Sequence, residues 1–231
     1  MSINRSIRQN FQLKRGSYMD LTVKQQSQKI LILNIIKKLE SRGMEGYYFD
    51  SAGPAADYVQ NLVPPDSSVA FGGSETLKET GILNVLKSGP YTVYDRADAH
   101  TPQEARQMYA NHTLSDYYFM SSNAITYDGI LVNIDGTGNR TACLIHGPQT
   151  VIVVVGVNKL INTLDSAIDK VKNIAAPPNA VRLNRNTPCK DLGRCSECLT
   201  DDCMCCNIVL TRKSYKKGRI KVLLINDSFG Y

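Results

Sequence analysis

The feature that most constrains this chain is the exchange of short apolar runs with segments of helical period. Val151 to Val155 is an unbroken apolar run closed by Gly156, and Ser68 to Phe71, Asp116 to Met120 and Ile220 to Ile225 are runs of similar length. Tyr47-Tyr48-Phe49, Tyr91 to Tyr94 and Ile208 to Thr211 read as further strands. Between them lie helical segments. Ile30, Leu33, Ile36 and Leu39 recur at helical spacing, in a helix that Asp20 or Thr22 caps, that runs to about Ser41 and that Gly43 ends. A second helix opens at Ser51-Ala52-Gly53-Pro54 and reaches about Leu62, where Pro64-Pro65-Asp66 turns the chain. Others are expected from Gly72–Thr76, with Gly81 ending or kinking it, from Thr101-Pro102 to about His112, and from Asn158 to about Ile174. Ala175-Ala176-Pro177-Pro178 is expected to stop the last of these. Strands that alternate with helices argue an α/β sheet and not a sandwich.

Polar, glycine-rich loops interrupt this frame. Asp128-Gly129 stands between Ile125-Thr126-Tyr127 and Ile130-Leu131-Val132, the pattern of a hairpin with a two-residue loop. Asp135-Gly136-Thr137-Gly138-Asn139-Arg140 follows. Its glycines permit close backbone approach, and Thr137, Asn139 and Arg140 offer donors to an oxygen-rich ligand. Gly72-Gly73-Ser74-Glu75-Thr76 joins a strand to a helix, where free amides and the dipole favour an anion. It lacks the Gly-Lys-Ser/Thr ending of a P-loop, and the blander reading is a helix cap with Glu75 complementing the dipole. Ser122, Asn123 and Thr126 follow a strand end, where α/β sheets collect ligands; an ordinary polar turn explains them equally well. Asn158 and Lys159 follow the Val151–Val155 strand, and Lys159 is either an anion ligand or a surface lysine.

For an enzyme, Glu75 and Asp135 are the candidates for proton abstraction, with Lys159 or Arg140 stabilising charge. Asp128 reads as a turn residue. His100, His112 and His146 form no spaced metal pair, and there is no nucleophile elbow and no zinc-protease motif. Gly136-Thr137-Gly138 lacks the third glycine of a dinucleotide fingerprint, so NAD binding is unsupported.

Six of the seven cysteines fall between residues 189 and 206: Cys189, Cys195, Cys198, Cys203, Cys205 and Cys206. Cys195-x-x-Cys198 is a metal-ligand spacing, and thiolates suit zinc or an iron–sulfur cluster. Cys143 lies on an apolar segment and reads as core. Residues 1–19 carry four basic and no acidic side chains and read as an arm; residues 180–231 carry ten basic and five acidic. The charge of +6 is thus concentrated at the ends, and no aromatic–basic module for nucleic acid is present. No apolar run reaches the length of a membrane span and no secretory signal is visible, so the expected compartment is the cytoplasm. The expected organisation is an arm over 1–18 and one domain over 19–231, with a Cys-rich segment at 187–207.

The string SNAIT-DG-LVN-DGTGNR beginning at Ser122, the Gly147-Pro148 pair and the run VIVVVGVNK ending at Lys159 resemble the lactate-utilisation (LUD) domain family, of the type called lactate-utilisation protein C. The likeness extends to Phe71–Leu77 and to the cysteines, covering roughly Met19 to Tyr231. It implies a three-layer parallel-sheet fold of the kind shared by ribose-5-phosphate isomerase, glucosamine-phosphate deaminase and CoA transferases. It implies a part in oxidising L-lactate to pyruvate within an iron–sulfur redox system. The expected partners are a small anionic substrate, lactate-like or phosphorylated, other subunits of that system, and a second copy of the chain. Relatives carry Pro-Cys, Gly-x-Cys-x-x-Cys and Cys-Asn, which match Pro188-Cys189, Gly193 to Cys198 and Cys206-Asn207. The resemblance therefore assigns Cys189, Cys195, Cys198 and Cys206 as ligands of a [4Fe–4S] cluster or of zinc, while Cys203 and Cys205 depart from its pattern. The glutamate motif of CoA transferases is absent. Two alternatives stay open: a standalone isomerase or transferase acting on a phosphorylated sugar or thioester, and a non-enzymatic assembly subunit with structural zinc.

Overall fold

The computed structural model describes residues 21–231, and the expected arm over 1–18 lies outside them. The architecture is α/β. Its main sheet has six strands in the order β1-β10-β7-β4-β2-β3, and every neighbouring pair is parallel. These strands are β1 (Glu45–Phe49), β2 (Ser68–Phe71), β3 (Thr92–Tyr94), β4 (Tyr117–Met120), β7 (Thr150–Gly156) and β10 (Ile220–Ile225). A smaller mixed sheet has the order β8-β5-β6-β9, formed by β5 (Ala124–Thr126), β6 (Leu131–Asp135), β8 (Leu160–Ile161) and β9 (Asn207–Thr211).

The apolar run at 151–155 is continuous because β7 is covered on both faces. Val151, Val153 and Val155 pack into one cluster with Ile32, Ile35 and Leu39 of α1 (Val23–Ser41). Ile152 and Val154 point the other way, into a cluster with Ala55 and Val59 of α2 (Ala52–Leu62), Leu77 of α3 (Glu75–Glu79) and Ile82 and Leu86 of α4 (Ile82–Ser88). The stripe that α1 buries keeps Leu39 of the expected one, with Ile36 packed against its edge, but takes Ile32 and Ile35 in place of Ile30 and Leu33. Ile32, Ile35 and Leu39 are buried, whereas Ile30 is 63 % and Leu33 38 % exposed. Thr22 does cap this helix: its hydroxyl accepts from Gln25 N, and the Gln25 side chain accepts from Thr22 N, a reciprocal capping box.

Three local expectations change. The Asp128-Gly129 hairpin has a three-residue loop, because Thr126 N bonds Ile130 O, and only Gly129 has positive φ (+82°). That is a turn closed by a left-handed glycine, and a side chain at Gly129 would also meet the backbone of Lys38 and Leu39 in α1. The helix expected from Asn158 begins later. Residues 157–159 form a single 3-10 turn, β8 follows, and Thr163 caps α7 (Leu164–Lys170) through Ser166 N. The Ala-Ala-Pro-Pro run does not end this helix. A π turn over Val171–Ala175 leads into α8 (Ala176–Arg182), and the prolines fall in its first turn, where a missing N–H costs least. The loop at 136–140 also contains an unanticipated element, since Asn139 opens α6 (Asn139–Ile145) after Gly138 in the left-handed conformation. Between α4 and α6 the remaining helix is α5 (Pro102–Leu114), and α9 (Pro188–Leu192) precedes the cysteine segment.

Candidate functional site

In a parallel sheet all carboxyl ends lie along one edge, and ligands gather there. Here the carboxyl ends of β2, β4, β7 and β10 lead into Gly72–Ser74, Ser121–Asn123, Val157–Lys159 and Asn226–Tyr231. A cavity of about 640 Å³ opens against them. Its wall takes Gly73, Ser74, Glu75 and Thr76 from the first loop and Ser121, Ser122 and Asn123 from the second. Asp135, Gly136, Thr137, Asn139 and Arg140 come from the glycine-rich loop, and Lys159 from the turn after β7. Stretches far apart in sequence thus meet at one cavity. Gly72, Thr126, Gly138 and Asn158 are not on this wall. Thr126 is buried and its hydroxyl accepts from Ile130 N inside the hairpin. Asn158 holds the tail, donating to Gly230 O at 3.1 Å and accepting from Phe229 N at 3.2 Å.

Gly72 serves packing and not a ligand. A Cβ there would lie 3.0 Å from the Tyr118 hydroxyl and 3.1 Å from Arg140 Cγ, so the missing side chain lets Arg140 pass. Arg140 is largely spent on the protein itself. Its Nη1 donates to Ser121 O (3.0 Å) and Asn133 Oδ1 (2.5 Å), and its Nη2 donates to Asn123 Oδ1 and Ile134 O (both 3.0 Å). Its Nε lies 3.7 Å from Asp135 Oδ2. The guanidinium therefore clamps the Ser121–Asn123 loop to β6 and lends the cavity a fixed positive charge. Burial pushes its pKa down, and Asp135 opposes that shift. Asp135 in turn accepts from Thr141 N at 3.1 Å and anchors the first turn of α6. Glu75 pairs with Lys78 (2.9 Å) and Arg182 (3.2 Å), which leaves neither expected carboxylate unengaged.

Lys159 is the group with a distinct environment. It is 5 % exposed. Its ammonium donates to Thr76 Oγ1 at 2.8 Å and Ser121 Oγ at 3.1 Å, and among the described residues no carboxylate forms an ion pair with it. Burial pushes its pKa down to about 7, helped by the nearby charges of Lys170 and Arg140 and opposed by Glu79. Lys170 is buried as well, donates to Asn123 O at 3.3 Å, and is pushed by burial to about 8. Sequence reasoning missed Lys170. The available signal was a lysine beside Ala167 and Val171 on the buried face of a helix. It also missed Gly230, whose left-handed conformation (φ +59°) brings the tail over Lys159.

The cysteines divide. Cys203, Cys205 and Cys206, with Met204 between them, line the cavity; Cys189, Cys195 and Cys198 do not. Cys189 is buried in α9, where the Thr187 hydroxyl lies 3.3 Å from its sulfur. Cys195 and Cys198 are half-buried, and Cys206 is exposed, directed at Cys203 O. Burial pushes the Cys205 thiol up to about 12, and Cys203, Cys195, Cys189 and Cys198 add to the shift, so Cys205 sits among the other thiols. Among the described residues no three acidic, histidine or cysteine side chains converge closely enough to hold an ion. The quartet Cys189, Cys195, Cys198 and Cys206 is not gathered round one point as placed, although Cys203 and Cys205 lie close to other thiols of the segment. No described helix is long and apolar enough to cross a membrane.

The model of the LUD domain family matches residues 32–225. No curated protein matches the chain. Among solved structures, a DUF162 family protein from Deinococcus radiodurans superposes with a TM-score of 0.50 at 10 % identity, covering 86 % of this chain and 98 % of that one. The fold is therefore shared with that protein. A second structure, eIF2B delta from Chaetomium thermophilum, reaches a TM-score of 0.32 at 18 % identity over 48 % of each chain.

Proposed function

This chain belongs to the LUD domain family, and from that premise we propose that its cavity binds a small organic acid of lactate utilisation, L-lactate or the pyruvate formed from it. The family carries lactate utilisation as its general role. The finer reading is a subunit that presents this acid to an iron–sulfur redox system of partner subunits, which takes up the electrons.

The observation that supports it is Lys159. A buried cation on a cavity wall, near two further cations and, among the described residues, without an ion-pair partner, is costly unless an anion completes it. A carboxylate supplies that charge, and Ser74, Thr137 and Asn139 on the same wall offer polar partners to a hydroxyl or carbonyl. Calorimetric titration with L-lactate and pyruvate tests this. Saturable binding is expected, lost in Lys159→Met with the fold intact by circular dichroism. Absence of binding to the native chain refutes it.

A second reading takes support from the outer wall. Arg96, Arg182 and Arg185 also border the cavity, whose volume exceeds that of a three-carbon acid. That suits a longer, phosphorylated ligand of an isomerase or transferase. A phosphorylated sugar in the same titration separates the two, since tighter binding than either acid favours the second. A [4Fe–4S] cluster or zinc on the cysteine segment stays a proposal carried by spacing and resemblance alone, and no step above runs through it.

A further inference from the structure

The surroundings of Lys159 suit it for bond formation as well as for charge. Thr76 Oγ1 donates its own proton to Phe229 O at 3.2 Å, and Ser121 Oγ donates to Ser122 O at 3.2 Å. Each hydroxyl is thereby left to accept from the lysine nitrogen, at 2.8 Å and 3.1 Å. A neutral amine has two N–H bonds and one lone pair. Two fixed acceptors take both N–H bonds and leave the lone pair in the remaining direction, and Lys159 borders the cavity. The neutral form is accessible because burial, Lys170 and Arg140 lower the pKa to about 7 against the pull of Glu79. The space beside the nitrogen is kept clear by Gly230, where a Cβ would stand 3.3 Å from Nζ and 2.7 Å from Thr76 Oγ1.

We propose that Lys159 forms an imine with a 2-oxo acid held in this cavity. The inference rests on the organic-acid reading above and names the member of that class the lysine selects: one with a carbonyl beside its carboxylate. The nitrogen lone pair attacks the carbonyl carbon, and the C=O π electrons move to oxygen. The carbinolamine then loses that oxygen as water, which carries away both amine protons, and a C=N bond remains; a proton from solvent makes it the iminium. No electron is gained or lost, so no oxidant is needed. A 2-hydroxy acid cannot react this way, and the site would thus hold the oxidised member of a hydroxy acid–oxo acid pair by a bond denied to the reduced one.

The test uses the full chain with pyruvate and cyanoborohydride, followed by intact mass and peptide mapping, beside calorimetric titration of the same preparation with pyruvate. One N-(1-carboxyethyl) group per chain is expected, mapped to Lys159, saturating with pyruvate and suppressed by excess L-lactate. Pyruvate that binds in the calorimeter but leaves Lys159 unlabelled overturns the imine and leaves the organic-acid reading standing. Labelling spread over exposed lysines and indifferent to L-lactate overturns it equally. Failure of both acids to bind removes the organic-acid reading and the imine with it.

Discussion

Replacing Arg140 with Ala separates two roles that a cationic residue in a ligand cavity can play. Its guanidinium donates four hydrogen bonds, to Ser121 O, Asn133 Oδ1, Asn123 Oδ1 and Ile134 O, and its side chain is only 13 % exposed. Asn133 is fully buried, and Ser121 and Ile134 are nearly so. Hydrogen bonds from a charged donor contribute about 1.5–3 kcal/mol each, but they are not additive within one network. Breaking a buried charged network by removing one partner costs about 3–5 kcal/mol. Water entering the vacated space would satisfy part of the network, so the lower end, about 3 kcal/mol, is expected. For a chain of this length that corresponds to a fall of roughly 6–12 °C in Tm. Urea unfolding and a thermal scan measure the loss, and calorimetry with pyruvate measures binding in parallel. The expected result is a large loss of stability with weakened binding, because the Ser121–Asn123 loop has lost its clamp. A variant within ~1 kcal/mol of the native chain that no longer binds would refute this account and make Arg140 a direct ligand.

Other outcomes follow from the same geometry. Lys159 and Lys170 have pKa values depressed on folding, so between about 7 and the ordinary lysine value the unfolded chain binds more protons, and stability should rise with pH across that window. Urea unfolding at pH 7 and pH 9 should show a smaller rise for Lys159→Met than for the native chain; an equal rise contradicts the assigned shift. Gly230→Ala forces a side chain into a left-handed position against Thr76 Oγ1 and should cost about 1–2 kcal/mol and weaken pyruvate binding; an unchanged affinity argues that the tail is not part of the site. Anaerobic purification with iron, zinc and labile-sulfide analysis tests the cysteine proposal. The joint replacement Cys195→Ser and Cys198→Ser should abolish metal content, and unchanged content refutes that pair as ligands.

Elements set by local rules were legible in the sequence. The start of α1 at Thr22, one of the two candidate caps, the strand at 151–155 and the Ser68–Phe71 strand with its helix after Gly72–Ser74 each follow from period and turn chemistry. The approach of the 73–76, 121–123 and 159 segments follows from the parallel main sheet, whose strands end on one side; the 135–140 loop comes instead from β6 of the smaller mixed sheet, and its arrival at the same cavity depends on contacts far away in the sequence. What depends on such distant partners was not legible. The buried face of α1 is chosen by the sheet it packs on, so Ile30 and Leu33 point outward although their spacing is helical. The two prolines at 177 and 178 look like a stop until the π turn ahead of them is known. Arg140 reads as an anion ligand until Asn123 and Asn133 are seen to take up its donors. Lys159 reads equally as a surface lysine, because the serine and threonine hydroxyls that hold it come from other loops.

The wall shared by Cys203, Cys205 and Cys206 with the ligand cavity ties sulfur chemistry to ligand affinity. The Asn207 side chain ties the end of that wall to the glycine-rich loop, donating to Gly136 O at 2.7 Å. On the proposed organic-acid reading, alkylation or oxidation that reshapes residues 203–206 would alter how tightly the acid is held. By thermodynamic reciprocity a resident acid must alter the equilibrium of that reshaping by the same factor. A bound metabolite and the oxidation state of these sulfurs would therefore be read together.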